Sequence, residues 1–190
     1  MGGRHNRRGS GVFLHYTGRG RFTNLTTTVM RQNIDMTTKP ILLVEDTPDD
    51  AELTIMALKE AGLLNQVVIA EDGLEALEYL FGEKRFAGRN PMETPALVLL
   101  DIKMPRLDGI EVLQRLRSDP RTHLLPIIML TTSTEESDLV RAYEAGANAY
   151  VRKPVSLAEF HEAVRQLGLF WILTNEMPPA PEDRYGRATH

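Results

Sequence analysis

The sequence predicts an α/β fold in which five parallel strands form a single doubly wound (βα)5 sheet. Five short aliphatic runs recur along the chain: ILLV (41–44), VVIA (67–70), ALVLL (96–100), PIIML (126–130) and AYVR (149–152). Stretches with helical spacing of apolar residues separate these runs and follow the last one. Each gap is long enough for a helical crossover, and strands joined by crossovers pair in parallel. Right-handed connections then cover both faces of the sheet, which is why the runs are continuously aliphatic.

The first run leads into Thr47, Pro48, Asp49 and Asp50. These read as an N-cap, a first-turn proline and two acids matched to the helix dipole, opening a helix that reaches Glu60. A second helix is predicted over 73–81. The stretch GEKRFAGRNPMETP (82–95) is an unusually long polar loop for a compact domain. Asp108 and Gly109 precede a helix over 110–119, whose Ile110, Leu113 and Leu116 define one packed face. A fourth helix runs from Glu135 to Ala145 and ends at Gly146. Ser156 caps a last helix from Leu157 to about Leu173, after which Pro178, Pro179 and Pro181 mark a frayed tail.

With 190 residues and 42% hydrophobic content the chain suits one core, here assigned to 37–168. Residues 1–36 read as a basic disordered leader, and 169–190 as a helix extension with a tail. The first 35 residues hold six arginines against Asp35, so the net charge of −4 hides a body carrying −9. That acidic body argues against nucleic acid as a partner. The leader is open to three readings: a basic arm, a targeting segment, or an extension ahead of a start at Met36. The absence of cysteine excludes disulfides, thiol catalysis and cysteine-ligated metals. No run is long enough to span a membrane and no signal-peptide core is evident, so the expected location is the cytoplasm.

In a doubly wound sheet, polar chemistry gathers beyond the carboxyl ends of the strands. The residues there are Glu45 and Asp46 after the first strand, Asp101 after the third, Thr131 and Thr132 after the fourth, and Lys153-Pro154 after the fifth. Taken singly, each is an ordinary loop residue or cap. Jointly, they bring three carboxylates to one rim, where like charges resist ionising together. A hard divalent cation such as Mg2+ resolves that conflict while keeping several of its waters.

In this order the motifs LLVED, LLDIKMPRLDG, PIIMLTTS and GANAYVRKP resemble the receiver domain of two-component response regulators, over about 40–167. The resemblance implies a flavodoxin-like receiver fold and a phosphorylated nucleophile at Asp101, supplied from a phosphohistidine on a sensor kinase. It implies Mg2+ held by Asp46, Asp101 and the main-chain carbonyl of Lys103, with Glu45 acting mostly through a bound water. Lys153, Thr131 and the backbone N–H groups of Ile102 and Thr132 would contact the phosphoryl oxygens, and the Lys153-Pro154 bond would be cis. Thr131 and Tyr150 match the family's switch pair, although Tyr150 also fits a half-buried aromatic without a role. Glu45 and Thr132 depart from the commonest residues at their positions, the latter toward a larger side chain. Such a protein is not an enzyme on separate substrates; it catalyses only its own phosphorylation and dephosphorylation.

About 17 residues follow Leu173, too few for an effector module, so output by protein contact is expected. The long polar loop and the ending GLFWILTNEMPP resemble single-domain regulators that partner bacterial phytochrome histidine kinases (bacteriophytochromes), relatives that tend to be homodimers. Phe170, Trp171 and Leu173 are the expected interface, the alternative being that Phe170 and Trp171 fold back on their own domain. A dimeric docking module with incidental phosphorylation is the competing function. An aspartyl phosphatase is disfavoured because Lys103 stands where that chemistry needs an acid. The chain also lacks the Gly-rich loop of a dinucleotide site after its first strand.

Overall fold

A computed structural model describes residues 38–153 and 156–175. The leader, the proline-rich tail and the Lys153-Pro154 bond lie wholly or partly outside them. The expected alternation is present: β1 (Ile41–Val44), α1 (Pro48–Glu60), β2 (Val67–Ala70), α2 (Gly73–Phe81), β3 (Leu97–Leu100), α3 (Gly109–Ser118), β4 (Ile127–Thr131), α4 (Glu136–Glu144), β5 (Ala149–Arg152) and α5 (Leu157–Gly168). All strand pairs are parallel and the order is β2-β1-β3-β4-β5.

The side-chain alternation of the strands sorts the core into two layers. Leu42, Val44, Val98, Leu100 and Met129 pack with Ala76 and Leu80 of α2, Leu113 and Leu116 of α3, and Ala142 of α4. Ile41, Leu43, Leu97, Leu99, Ile128 and Leu130 face the other way, onto Ala57 and Leu58 of α1 and Phe160 and Val164 of α5. The strands β1, β3 and β4 are buried along their whole length, while β2 and β5 are the partly exposed edges. The chain leaves β1 toward β2 and returns past it to β3, so the topological switch point lies between the ends of β1 and β3.

Several boundaries differ from the sequence expectation for local reasons. Strand β4 begins at Ile127 because Pro126 has no N–H to give; its carbonyl alone takes part, accepting from Val98 at 3.0 Å. Thr47 occupies the N-cap of α1, but its side chain makes no capping bond. Ser156 does cap α5, accepting from the N–H of Glu159 at 3.2 Å. Two caps went unnoticed in the sequence. Asp72 accepts from Leu74 and Glu75, and Asp108 forms a capping box with Glu111. The polar stretch 82–95 is not a free loop. It contains a 3-10 turn (Lys84–Phe86), and Arg89 lies over the Tyr79 ring while donating to the carbonyls of Tyr79 and Glu93.

The expected α-helix to Leu173 stops at Gly168, and Leu169–Thr174 continues as a π-helix. Its buried stripe is Phe160, Val164, Gly168 and Ile172, four residues apart. On an α-helix that spacing drifts by about 40° per step, and the wider π turn reverses the drift, keeping Ile172 fully buried. Gly168 packs against the Leu63 side chain, whose Cδ1 would have to move aside for any Cβ placed there.

Candidate functional site

The rim residues come together where the switch point places them. Val44 and Leu100 are paired neighbours at the ends of β1 and β3, so the next residues, Glu45 and Asp101, emerge side by side. The Glu45 N–H is held by the carbonyl of Ala70 and the Asp101 N–H by that of Val44, which fixes both backbones. Glu45 and Asp101 are buried, whereas Asp46 is exposed at the mouth. Carboxylate oxygens of the three lie within 4.8 Å of one another.

Lys153 reaches into this cluster from the end of β5, its N–H bonded to the carbonyl of Thr131 at 2.7 Å. Its ammonium stands 2.5 Å from Glu45 Oε2, 2.9 Å from Asp50 Oδ2 and 3.1 Å from Asp101 Oδ2. Burial alone would pull the lysine pKa down. The hydrogen bond to Glu45, the field of Asp101 and the bond to Asp50 outweigh it and hold the ammonium above the ordinary lysine range. Burial pushes the Glu45 carboxyl up, with Lys153 opposing and Asp101 and Asp50 adding to the shift. Four carboxylates, Glu45, Asp46, Asp50 and Asp101, thus gather around one ammonium.

Asp101 is held from two sides. Its Oδ1 accepts from the N–H of Ile102 at 2.6 Å and of Lys103 at 3.3 Å, while Oδ2 faces Lys153. The following loop is folded tightly enough that Gly109 donates to the carbonyl of Ile102 at 2.9 Å. Thr131 is fully buried, and its hydroxyl oxygen accepts from the N–H of Ser133 at 3.2 Å; Thr132 is exposed. Tyr150 is half-buried and donates its hydroxyl to the carbonyl of Ser133 at 3.4 Å. The side chain of Lys103 is turned to Asp138, its Nζ 2.9 Å from Oδ2.

Two carboxylates in this network were missed in the sequence. Asp50 reads as a dipole-matched acid, yet its helix opens at the rim and brings it to Lys153. The only sequence signal is that an acid in the first turn of α1 must point toward the end of β1. Asp138 has local partners in Ser133 and Arg141, but its link to Lys103 comes from a remote loop and has no linear signal. Phe170, Trp171 and Leu173 lie in the π-helix that follows α5. Phe170 and Leu173 are each 49% exposed, while Trp171 packs partly on the core and meets Phe170 edge to face at 5.2 Å. No helix among the described residues is long and apolar enough to cross a membrane.

An acidic cluster at a β1/β3 switch point, answered by a lysine from β5, defines a receiver. Residues 41–165 match the model of the response regulator receiver domain, and the chain belongs to that family. Among its relatives is response regulator Rcp1 of Synechocystis sp. (strain ATCC 27184 / PCC 6803 / Kazusa), 34% identical over 75% of this chain and 95% of its own. A Mn2+-bound form of Rcp1 superposes with a TM-score of 0.68 at 33% identity, covering 74% of this chain and 99% of that one. The phosphorylated cyanobacterial phytochrome response regulator RcpA gives 0.69 at 35% identity, covering 75% and 99%. The bacteriophytochrome response regulator AtBRR is 51% identical with a TM-score of 0.59, covering 73% and 99%. The chain is thus a receiver similar to phytochrome-associated response regulators.

Proposed function

We propose that this chain is a phosphoacceptor response regulator in which Asp101 takes a phosphoryl group from the phosphohistidine of a sensor kinase of the phytochrome type. The observation that carries the reading is the convergence of Lys153 on Asp101 within a buried group of carboxylates. Glu45, Asp46, Asp101 and the carbonyl of Lys103 supply the oxygen donors that suit Mg2+, and the gathering of four carboxylates around one ammonium favours a cation there. When bound, the metal neutralises charge between the carboxylate and the incoming phosphoryl oxygens.

The backbone N–H groups of Ile102 and Lys103 hold the Asp101 carboxylate in place for attack. Its oxygen forms the new O–P bond as the P–N bond to the donor imidazole breaks. Lys153 exchanges a carboxylate partner for a phosphoryl oxygen, and Thr131 with the N–H groups of Ile102 and Thr132 binds the others. The added charge of about −1.5 to −2 draws Thr131 inward, and Tyr150 follows it, altering the face of α4, β5 and α5. Output is by protein contact, with a homodimer joined through Phe170, Trp171 and Leu173.

The similarity to RcpA and AtBRR supports a phytochrome-type donor. Phosphotransfer timed from a panel of purified histidine kinases tests it: the reading expects a phytochrome kinase to transfer fastest, and a uniformly slow panel contradicts it. A docking module with incidental phosphorylation is the competing reading, favoured by the exposure of Phe170 and Leu173. It predicts the same oligomer and partner affinity before and after phosphorylation.

A further inference from the structure

Asp138 is a carboxylate with 1% exposure in the first turn of α4, and the phosphoacceptor chemistry makes no use of it. Such burial is costly unless the oxygens are bonded. The Ser133 hydroxyl donates to Oδ2 at 2.7 Å, Lys103 Nζ stands 2.9 Å from the same oxygen, and Arg141 lies 3.5 Å from Oδ1. The Ser133 hydrogen bond, then that of Lys103, hold the carboxyl below the ordinary aspartate range.

Both main anchors lead back to the rim. Lys103 also donates its N–H to Asp101 Oδ1, and Ser133 gives its N–H to Thr131 while its carbonyl receives Tyr150. Helix α4 has little else to hold it: Ala142 is its only buried apolar residue, and Val140 and Tyr143 are more than half exposed. A helix with so few apolar anchors belongs to the part of a domain that opens most readily.

We propose that Asp138 is a positioning residue that clamps the β3–α3 and β4–α4 loops onto α4, so that a charge change at Asp101 reaches α4 through Lys103 and Ser133. The proposal rests on the reading of Asp101 as phosphoacceptor. Movement of Thr131 toward a phosphoryl group takes away the acceptor of the Ser133 N–H. Ser133 then shifts, and its bond to Asp138 passes that shift to α4. Lys103 delivers the same signal from the other loop.

Hydrogen exchange of the α4 amides tests the clamp in the full chain, with and without Mg2+ and beryllofluoride as a mimic of the phosphoryl group. The variants are D138N, which keeps the shape of the side chain, K103Q and the double variant. Without ligand, K103Q, which loses one charge-assisted hydrogen bond, exchanges about tenfold faster across α4, and D138N, which weakens the bond from Ser133 as well, at least as much faster. The double variant matches D138N, because the two residues act as a unit. Beryllofluoride changes α4 exchange in the parent protein and leaves it unchanged in D138N. Parent-like exchange in the single variants, additive effects in the double variant, or an intact beryllofluoride response in D138N would overturn the clamp. Failure of the parent protein to take a phosphoryl group from acetyl phosphate would sink the phosphoacceptor reading instead, and the ligand-free comparison would still judge the clamp.

Discussion

Gly109 lies so close to Asp101 that a Cβ on residue 109 would stand 2.0 Å from the Asp101 carbonyl oxygen. The contact is with backbone, so no side-chain rotation relieves it. Gly109→Ala is expected to displace the loop that aims Asp101, destabilising the protein by about 2 kcal/mol. Phosphorylation by acetyl phosphate should slow as well. Urea titration and a phosphorylation time course check the two effects separately.

Lys153 is bonded to the buried carboxylates Glu45 and Asp101 and to the partly exposed Asp50. Removing one partner of a buried ionic cluster costs about 3 kcal/mol, because the remaining charges lose their compensation. Lys153→Gln should show that loss in EDTA, and Mg2+ should recover more stability in the variant than in the parent protein. Thermal melts of both proteins, with and without the ion, measure the difference.

The depressed pKa of Asp138 gives a pH prediction whose sign follows from linkage. A carboxyl with a folded pKa below its unfolded value contributes stability that is present above the unfolded pKa and is lost as pH falls through the folded one. Asp138→Asn should therefore be less stable than the parent by a constant gap, about 1 to 2 kcal/mol, from neutral pH down to the ordinary aspartate value of about 3.8. Below it the gap closes. Lys103 and Tyr150, which face Asp138 and whose own pKa values are raised, keep their protons across that range. Denaturant titrations over a pH series check it.

Phe170 and Leu173 carry exposed apolar surface that the domain does not cover. Replacing both with serine should leave the fold and Asp101 chemistry intact and convert a dimer to a monomer in sedimentation. An unchanged sedimentation coefficient would remove these residues from the interface.

The architecture was legible because each aliphatic run is long enough for a strand and each gap is sized for a crossover. The rim residues followed from that order, since the switch point is a property of topology. Asp50 was visible but underread: its position in the first turn of α1 carries dipole and site meanings at once. Asp138 was invisible as part of the network, because Lys103, the partner that ties it to the rim, lies 35 residues away on another loop. The π turn at Leu169–Thr174 escaped for a different reason: it answers a packing demand, the burial of Ile172 past Gly168, that spacing along one helix does not express.

The most direct test of the account is the intact mass of the protein after incubation with acetyl phosphate and Mg2+, compared with Asp101→Asn under the same conditions. The account predicts one added phosphoryl group on the parent chain, none on the variant, and loss of the signal when EDTA replaces Mg2+. Equal phosphorylation of Asp101→Asn would contradict it.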